Sequence, residues 1–301
     1  MGPGVRLAAV RLLPTWIAFV GAAASVFPQL PSVKVYSELQ RIDASGKVVS
    51  ADRPRRAGVG PREILSPALA RNAHAVFHIA VTVPAGVDFT LYVGQNPDGF
   101  LGVTLYKEVY LKRGAEWIPD GLEPVKLPYT GRLPDADRPM LEQTTVSFLM
   151  DLWVPPGTEV RRTKVEPEIW VDGQWINYPM EVRIVSATVP EHKDSGVPLA
   201  TVEQPSDSAA RAALRSYLCG ATPGDYATRG NIRWMLLRDA LQDMALARSL
   251  ESPPGARLLP ELLKLAGSGD AAKWCQAPVF PEDLGPEWYL RLRDALYRMV
   301  E

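Results

Sequence analysis

The sequence predicts an α+β multi-domain protein: an antiparallel β-sandwich followed by a small all-α C-terminal domain. Three observations carry this. Between residues 33 and 190, apolar residues recur with period 2, the period of strands buried on one face. Asp172-Gly173 stands between two β-favouring runs, a strong short hairpin signal, because a type I′ turn needs positive φ at both central positions. Beyond residue 206 the apolar spacing changes to 3.6, the helical period. At 301 residues the chain is long enough for one large or two medium domains.

Residues 1–24 read as a secretory signal peptide. Arg6 and Arg11 are its only charges, residues 16–24 are uncharged and mostly apolar, and Ala22-Ala23-Ala24 supplies the small residues that signal peptidase accepts. The apolar run falls short of the roughly 20 residues of a membrane span. The alternative is an uncleaved anchor. Cleavage after Ala24 leaves no membrane span and places the protein in a secreted or periplasmic compartment.

The sandwich is assigned to residues 25–190. Residues 33–42 alternate Val33, Val35 and Leu39 against Lys34, Glu38 and Gln40, a first strand; a Gly/Pro/Arg loop runs on to Arg71. Strands follow at 76–83, 88–94 and 103–112, separated by Pro84-Ala85-Gly86 and Asn96-Pro97-Asp98-Gly99. Residues 114–143 are rich in Pro and Gly and predict a long loop with one short strand. Residues 145–154 form a strong strand carrying Val146, Phe148, Met150, Leu152 and Val154, and further strands flank the Asp-Gly turn up to residue 190.

Val83-Pro84-Ala85-Gly86 and Val154-Pro155-Pro156-Gly157 each close an alternating strand. Two half-sandwiches would give this echo, and so would the ordinary use of Pro and Gly after strands. Such strand–Val-Pro-x-Gly–strand units resemble those of fibronectin-like or immunoglobulin-like domains in exported bacterial proteins, and the resemblance implies a sandwich of that architecture.

Residues 191–206 hold Gly196, Pro198 and Pro205 without a periodic pattern and are the predicted linker. In the helical domain, 207–301, helices are predicted at 207–219, 231–250 and 259–266, with a last one opening at Pro286. Cys219 and Cys275 are the only cysteines, so an oxidising compartment allows one intramolecular disulfide between them. In a reducing compartment they would be two buried thiols.

Charge and motifs exclude several classes of function. With 33 basic and 34 acidic residues the net charge is −1, and no long basic run offers a nucleic-acid surface. The Arg-rich stretch 47–71 is broken by Pro54, Gly58, Gly60 and Pro61, as in a solvated loop. His74 and His78 share a strand face but lie roughly 13 Å apart along it, too far to hold one metal ion, and neither a metal nor a cofactor is predicted. His-Glu-x-x-His, Gly-x-Ser-x-Gly and phosphate-binding glycine loops are absent from the sequence. Carboxylates that could act in pairs are Asp151, Glu166 and Glu168; on open strands such groups are ordinarily solvated.

The candidate site is the hairpin. A two-residue loop fixes its register, so Val171 faces Gln174, Trp170 faces Trp175, Ile169 faces Ile176 and Glu168 faces Asn177. Both tryptophans then share one face and both isoleucines the other. One reading is a cross-strand pair that only stabilises the hairpin. The functional reading is a flat aromatic platform for a sugar ring or a partner protein, with Glu168 and Asn177 as flanking hydrogen-bonding groups. The sequence thus points to an exported non-enzymatic binding or scaffolding protein of an envelope or extracellular assembly. The alternative is a carbohydrate-binding accessory domain of a glycan-active enzyme.

Overall fold

The computed structural model describes residues 30–51, 65–114, 116–140, 143–191, 216–217 and 220–251. The signal segment 1–24, the linker after Glu191, Cys219, Cys275 and the predicted helices at 259–266 and after Pro286 lie outside the described residues; of the predicted helix 207–219 only Ser216 and Tyr217 are described.

The described chain is mostly strand. Its strands are β1 (Ser32–Ser37), β2 (Gln40–Ile42), β3 (Val48–Ala51), β4 (Ala68–Arg71), β5 (Ala73–Thr82), β6 (Asp88–Asn96), β7 (Gly102–Arg113), β8 (Glu116–Val125), β9 (Tyr129–Arg132), β10 (Thr145–Val154), β11 (Arg162–Val171), β12 (Gln174–Asn177) and β13 (Met180–Thr188). Two helices follow, α1 (Pro223–Ala227) and α2 (Ile232–Glu251). Among the described residues no helix is long and apolar enough to cross a membrane.

One sheet has the order β1-β5-β10-β7-β8; a second has β4-β13-β11-β6-β9, with β12 also on β11; β2 and β3 pair separately. The inward side chains of both sheets meet in one core. Val35, Ile79, Phe148 and Met150 come from the first sheet and Leu91, Val165, Ile169 and Val182 from the second. Strand alternation does this: in β11 every second residue from Thr163 to Val171 is buried. Burying side chains of this size stabilises by about 1.5–3 kcal/mol each.

Several expectations are corrected. The predicted first strand is two strands, because the chain turns at Glu38-Leu39 and β2 leaves the β1 line. The predicted loop 114–143 contains β8 and β9. Pro119, Gly121 and Pro124 are tolerated in β8 because it is an edge strand, and an edge position spares a proline its missing N–H. β4 lies in the predicted Arg-rich loop and pairs with β13 in parallel, so the sheets are antiparallel except at that edge. β5 and β10 are antiparallel neighbours in one sheet, with Thr82 opposite Thr145 and Ala73 opposite Val154, so the two Val-Pro turns sit at opposite ends of one strand pair.

The outer face of the first sheet is also covered. The β2–β3 hairpin lies on it, with Thr144 and Thr145 donating backbone N–H bonds to the Ala44 carbonyl. α2, predicted as 231–250, packs across it against β5 and β8. α1 is a further element, capped by Thr222, whose hydroxyl accepts the Asp225 N–H while the Asp225 carboxylate accepts the Thr222 N–H.

Candidate binding face and buried polar layer

The outer face of the second sheet carries the predicted site. The hairpin turn has Asp172 at φ 47° and Gly173 at φ 76°, the two positive values of a type I′ turn. The register is the one expected: Glu168 opposite Asn177, Ile169 opposite Ile176, Trp170 opposite Trp175, Val171 opposite Gln174. Ile169 is fully buried, whereas Trp170 and Trp175 are 41% and 54% exposed.

The structure adds a third ring that the sequence reading missed. Tyr92 of β6 stands opposite Glu168 on the far edge of β11, and its ring centroid is 5.1 Å from that of Trp175. Trp170 is also 5.1 Å from Trp175. The Trp175 indole therefore reaches from β12 across β11 to β6, giving a row Tyr92–Trp175–Trp170 over three strands. The alternation of 88–94 puts Tyr92 on the face opposite Leu91, but its pairing partner is far away in sequence.

The platform is not flat. Trp170 and Trp175 are inclined by 56° and Tyr92 and Trp175 by 60°. Tilted packing sets the positive edge of one ring against the negative face of another, which a coplanar array cannot do. The face is a ridge of half-exposed rings.

Polar groups flank the ridge. Glu168, Glu166 and Lys164 alternate outward along β11, and Asn177 is exposed opposite Glu168. A Cβ on Gly94 would lie 3.7 Å from Glu168 Oε1, so the Glu168 carboxylate leans over the glycine backbone. Burial, and then the neighbouring Glu166 charge, push the Glu168 carboxyl up. On the other flank Thr90 and Thr130 share a hydroxyl hydrogen bond of 3.1 Å, and Arg132 makes a two-point contact to Asp88 at 2.6 and 2.7 Å. Together the residues offer ring faces for apolar or C–H contacts, beside carboxylate and amide groups able to fix orientation. No nucleophile–base pair is formed by them.

A second cluster, unforeseen as a unit, is the buried polar layer between the first sheet and its covering elements. His74 and His78 do share the outer face of β5, but each meets its own carboxylate: His74 Nδ1 lies 3.2 Å from Asp151 Oδ1, and His78 Nδ1 lies 2.6 Å from Glu108 Oε1. His78 Nε2 is 3.1 Å from the Glu38 carbonyl, which only accepts, so that nitrogen carries a proton. Burial pulls the His78 pKa down, and the Glu108 contact more than reverses this, so it stands above the ordinary value. Arg238 of α2 donates to both Asp151 oxygens at 2.8 and 2.9 Å. The extra residue at the β8 bulge, Asp120, accepts from Arg41 at 3.3 Å and Arg233 at 2.8 Å, tying hairpin and helix to the sheet edge. Among the described residues no group of metal-ligating side chains comes together.

No protein-family model and no curated protein matches the sequence. Among solved structures the chain is similar to a family 123 glycoside hydrolase from Clostridium perfringens, at 8% identity and a TM-score of 0.36, over 54% of this chain and 29% of that one. It is similar to Spo0M, a sporulation control protein from Bacillus subtilis, at 8% identity and a TM-score of 0.24, over 57% of this chain and 54% of that one. It is also similar to the chitin-binding domain of a hyperthermophilic chitinase from Pyrococcus furiosus, at 13% identity and a TM-score of 0.21, over 51% of this chain and 99% of that one. The chain thus spans about half or less of the first two proteins it matches. Scores this low assign neither a fold family nor a function.

Proposed function

We propose that this is an exported, non-enzymatic binding or scaffolding protein of an envelope or extracellular assembly, and that the ridge Tyr92–Trp175–Trp170 is its binding surface. One observation carries the reading: Trp170 and Trp175 stay 41% and 54% exposed while Ile169 beside them is fully buried. The core contact is made from the other face of the hairpin, so the fold does not need the indoles there. Tryptophan and tyrosine are the residues that dominate protein interfaces when truncated.

A second reading, carbohydrate recognition, is favoured by Glu168, Glu166 and Asn177 beside the rings, since a sugar needs both an apolar ring face and hydrogen-bonding groups. The tilt of the rings suits one sugar unit lying on Trp175 better than a flat polysaccharide surface.

The test is co-sedimentation with isolated cell-envelope material. Wild-type protein sediments with it, and the variant Trp170→Ala/Trp175→Ala stays in solution. Protease treatment of the envelope abolishes capture if the partner is protein and spares it if the partner is glycan. Equal sedimentation of variant and wild type rejects the binding surface.

The remaining parts of the reading rest on the sequence. Residues 1–24 are removed on export, so the mature chain begins near Ser25. Cys219 and Cys275 form a disulfide within the helical domain 207–301, and the two sheets around one core are an immunoglobulin-like sandwich. The unreduced mass of the mature protein checks the first two together: it should match a chain without residues 1–24 and lacking two hydrogens.

A further inference from the structure

Where α2 lies over β5 of the first sheet, beside the β4–β13 edge of the second, a cavity of about 310 Å³ opens between them. That is the lower end of the size range of small-molecule sites. Its walls are apolar, with Leu69 and Val189 on one side and Leu236 and Leu246 on the other. Glu38 and Asp239 contribute carboxylates and His74 an imidazole, and among the described residues no lysine or arginine lines it.

The acid at its inner end is under-compensated. Asp239 Oδ1 accepts both Arg238 contacts, at 2.8 and 2.7 Å, whereas among the described residues Oδ2 has only the Val76 N–H at 3.2 Å. Arg238 is shared with Asp151, so one guanidinium serves two carboxylates. The Asp239 side chain is 16% exposed and lines the cavity. A carboxylate shielded in this way gains most from a cation that reaches it through the apolar mouth.

We propose that this cavity is a binding site for a small amphipathic cation, with its ammonium group at Asp239 Oδ2 and its apolar body between Leu69, Val189, Leu236 and Leu246. Burial raises the Asp239 carboxyl to about 8 against the pull of Arg238, so the cavity presents a carboxylate above that pH and a neutral acid below it. The site lies between α2, β5 and the β4–β13 edge and shares no residue with the aromatic ridge.

The probe is hexylammonium chloride, titrated into the full-length mature protein at pH 9, where the Asp239 carboxylate and the ammonium are both charged, and followed by NMR chemical shifts and calorimetry, with hexanoate and hexan-1-ol as comparisons. Hexylammonium should bind saturably, shift Val76 and Leu246, and bind roughly tenfold tighter than hexan-1-ol, since a charge-assisted contact exceeds a neutral one by about that factor. Hexanoate should not bind. Asp239→Asn should bring hexylammonium down to the level of hexan-1-ol, and Leu246→Trp, which fills the cavity from an incompletely buried position, should abolish binding of both. Absence of saturable hexylammonium binding, equal binding of hexanoate, or undiminished binding by Leu246→Trp overturns the proposal. The Leu246 variant and the comparison ligands decide it even if Asp239→Asn does not fold.

Discussion

Arg238→Met removes one charge from the centre of the buried polar layer and keeps most of the side-chain volume. Arg238 is 1% exposed and makes four hydrogen bonds, two to Asp151 and two to Asp239. Breaking a buried ion pair from one side costs about 3–5 kcal/mol, because the remaining charge is left unpaired. Asp151, 7% exposed, would keep only His74 among the described residues, so the upper part of that range applies to it. For a folded unit of this size each kcal/mol moves the melting temperature by about 2–4 °C, so Arg238→Met should melt roughly 6–20 °C below wild type. Thermal and urea unfolding followed by circular dichroism measure this. Adding Asp151→Asn to Arg238→Met removes the stranded charge and should recover part of the loss. The pH dependence has a definite sign. Burial raises the Asp151 carboxyl, but Arg238 and His74 outweigh it and the net shift is downward from 3.8. The stability it contributes is present above 3.8 and is lost as the pH falls through the lowered value, so the deficit of Arg238→Met should shrink in acid. A loss below about 1 kcal/mol at neutral pH would show that Arg238 and Asp151 behave as an exposed pair.

Trp170→Ala/Trp175→Ala should cost little stability: a cross-strand aromatic pair contributes about 0.2–1 kcal/mol, so a melting-temperature loss beyond about 4 °C would mean that the indoles are core. Gly173→Val has open space around its Cβ but must adopt φ 76°, so it should lose about 1–2 kcal/mol from backbone conformation alone, read as a lower urea midpoint; an unchanged midpoint contradicts the turn geometry. His78→Gln should fall furthest behind wild type below pH 6.5, with the gap closing as the pH rises through the raised His78 value; urea midpoints across that range show it, and a gap that widens with pH contradicts a charged His78–Glu108 pair.

What could be read from the sequence was local. Asp172-Gly173 dictates both the turn and the register of four residue pairs, and each follows from adjacent residues. The strand 145–154 and the helix near 231–250 are long periodic runs, found within a residue or so of their ends. β8 was hidden because Pro119, Gly121 and Pro124 argue against a strand unless its edge position is known, and that depends on β7. Tyr92 joins the ridge through a pairing of β6 with β11, which no local pattern encodes. The Arg238–Asp151 pair joins residues 87 apart. Its trace in the sequence is a charge on an otherwise apolar stripe, four residues after Trp234 and three before Leu241, facing an acid set inside an apolar strand.

The proposed function requires that the ridge on the second sheet touch a partner. Photo-crosslinking from position 175 reads that contact, with a benzophenone amino acid in place of Trp175 and the protein in its native envelope. The same group at Val160, which is 56% exposed in the loop before β11, serves as the control. Position 175 should give a defined adduct, digestible by protease or by a glycan hydrolase, and position 160 none like it. No adduct from 175, or the same set of adducts from both positions, would contradict it.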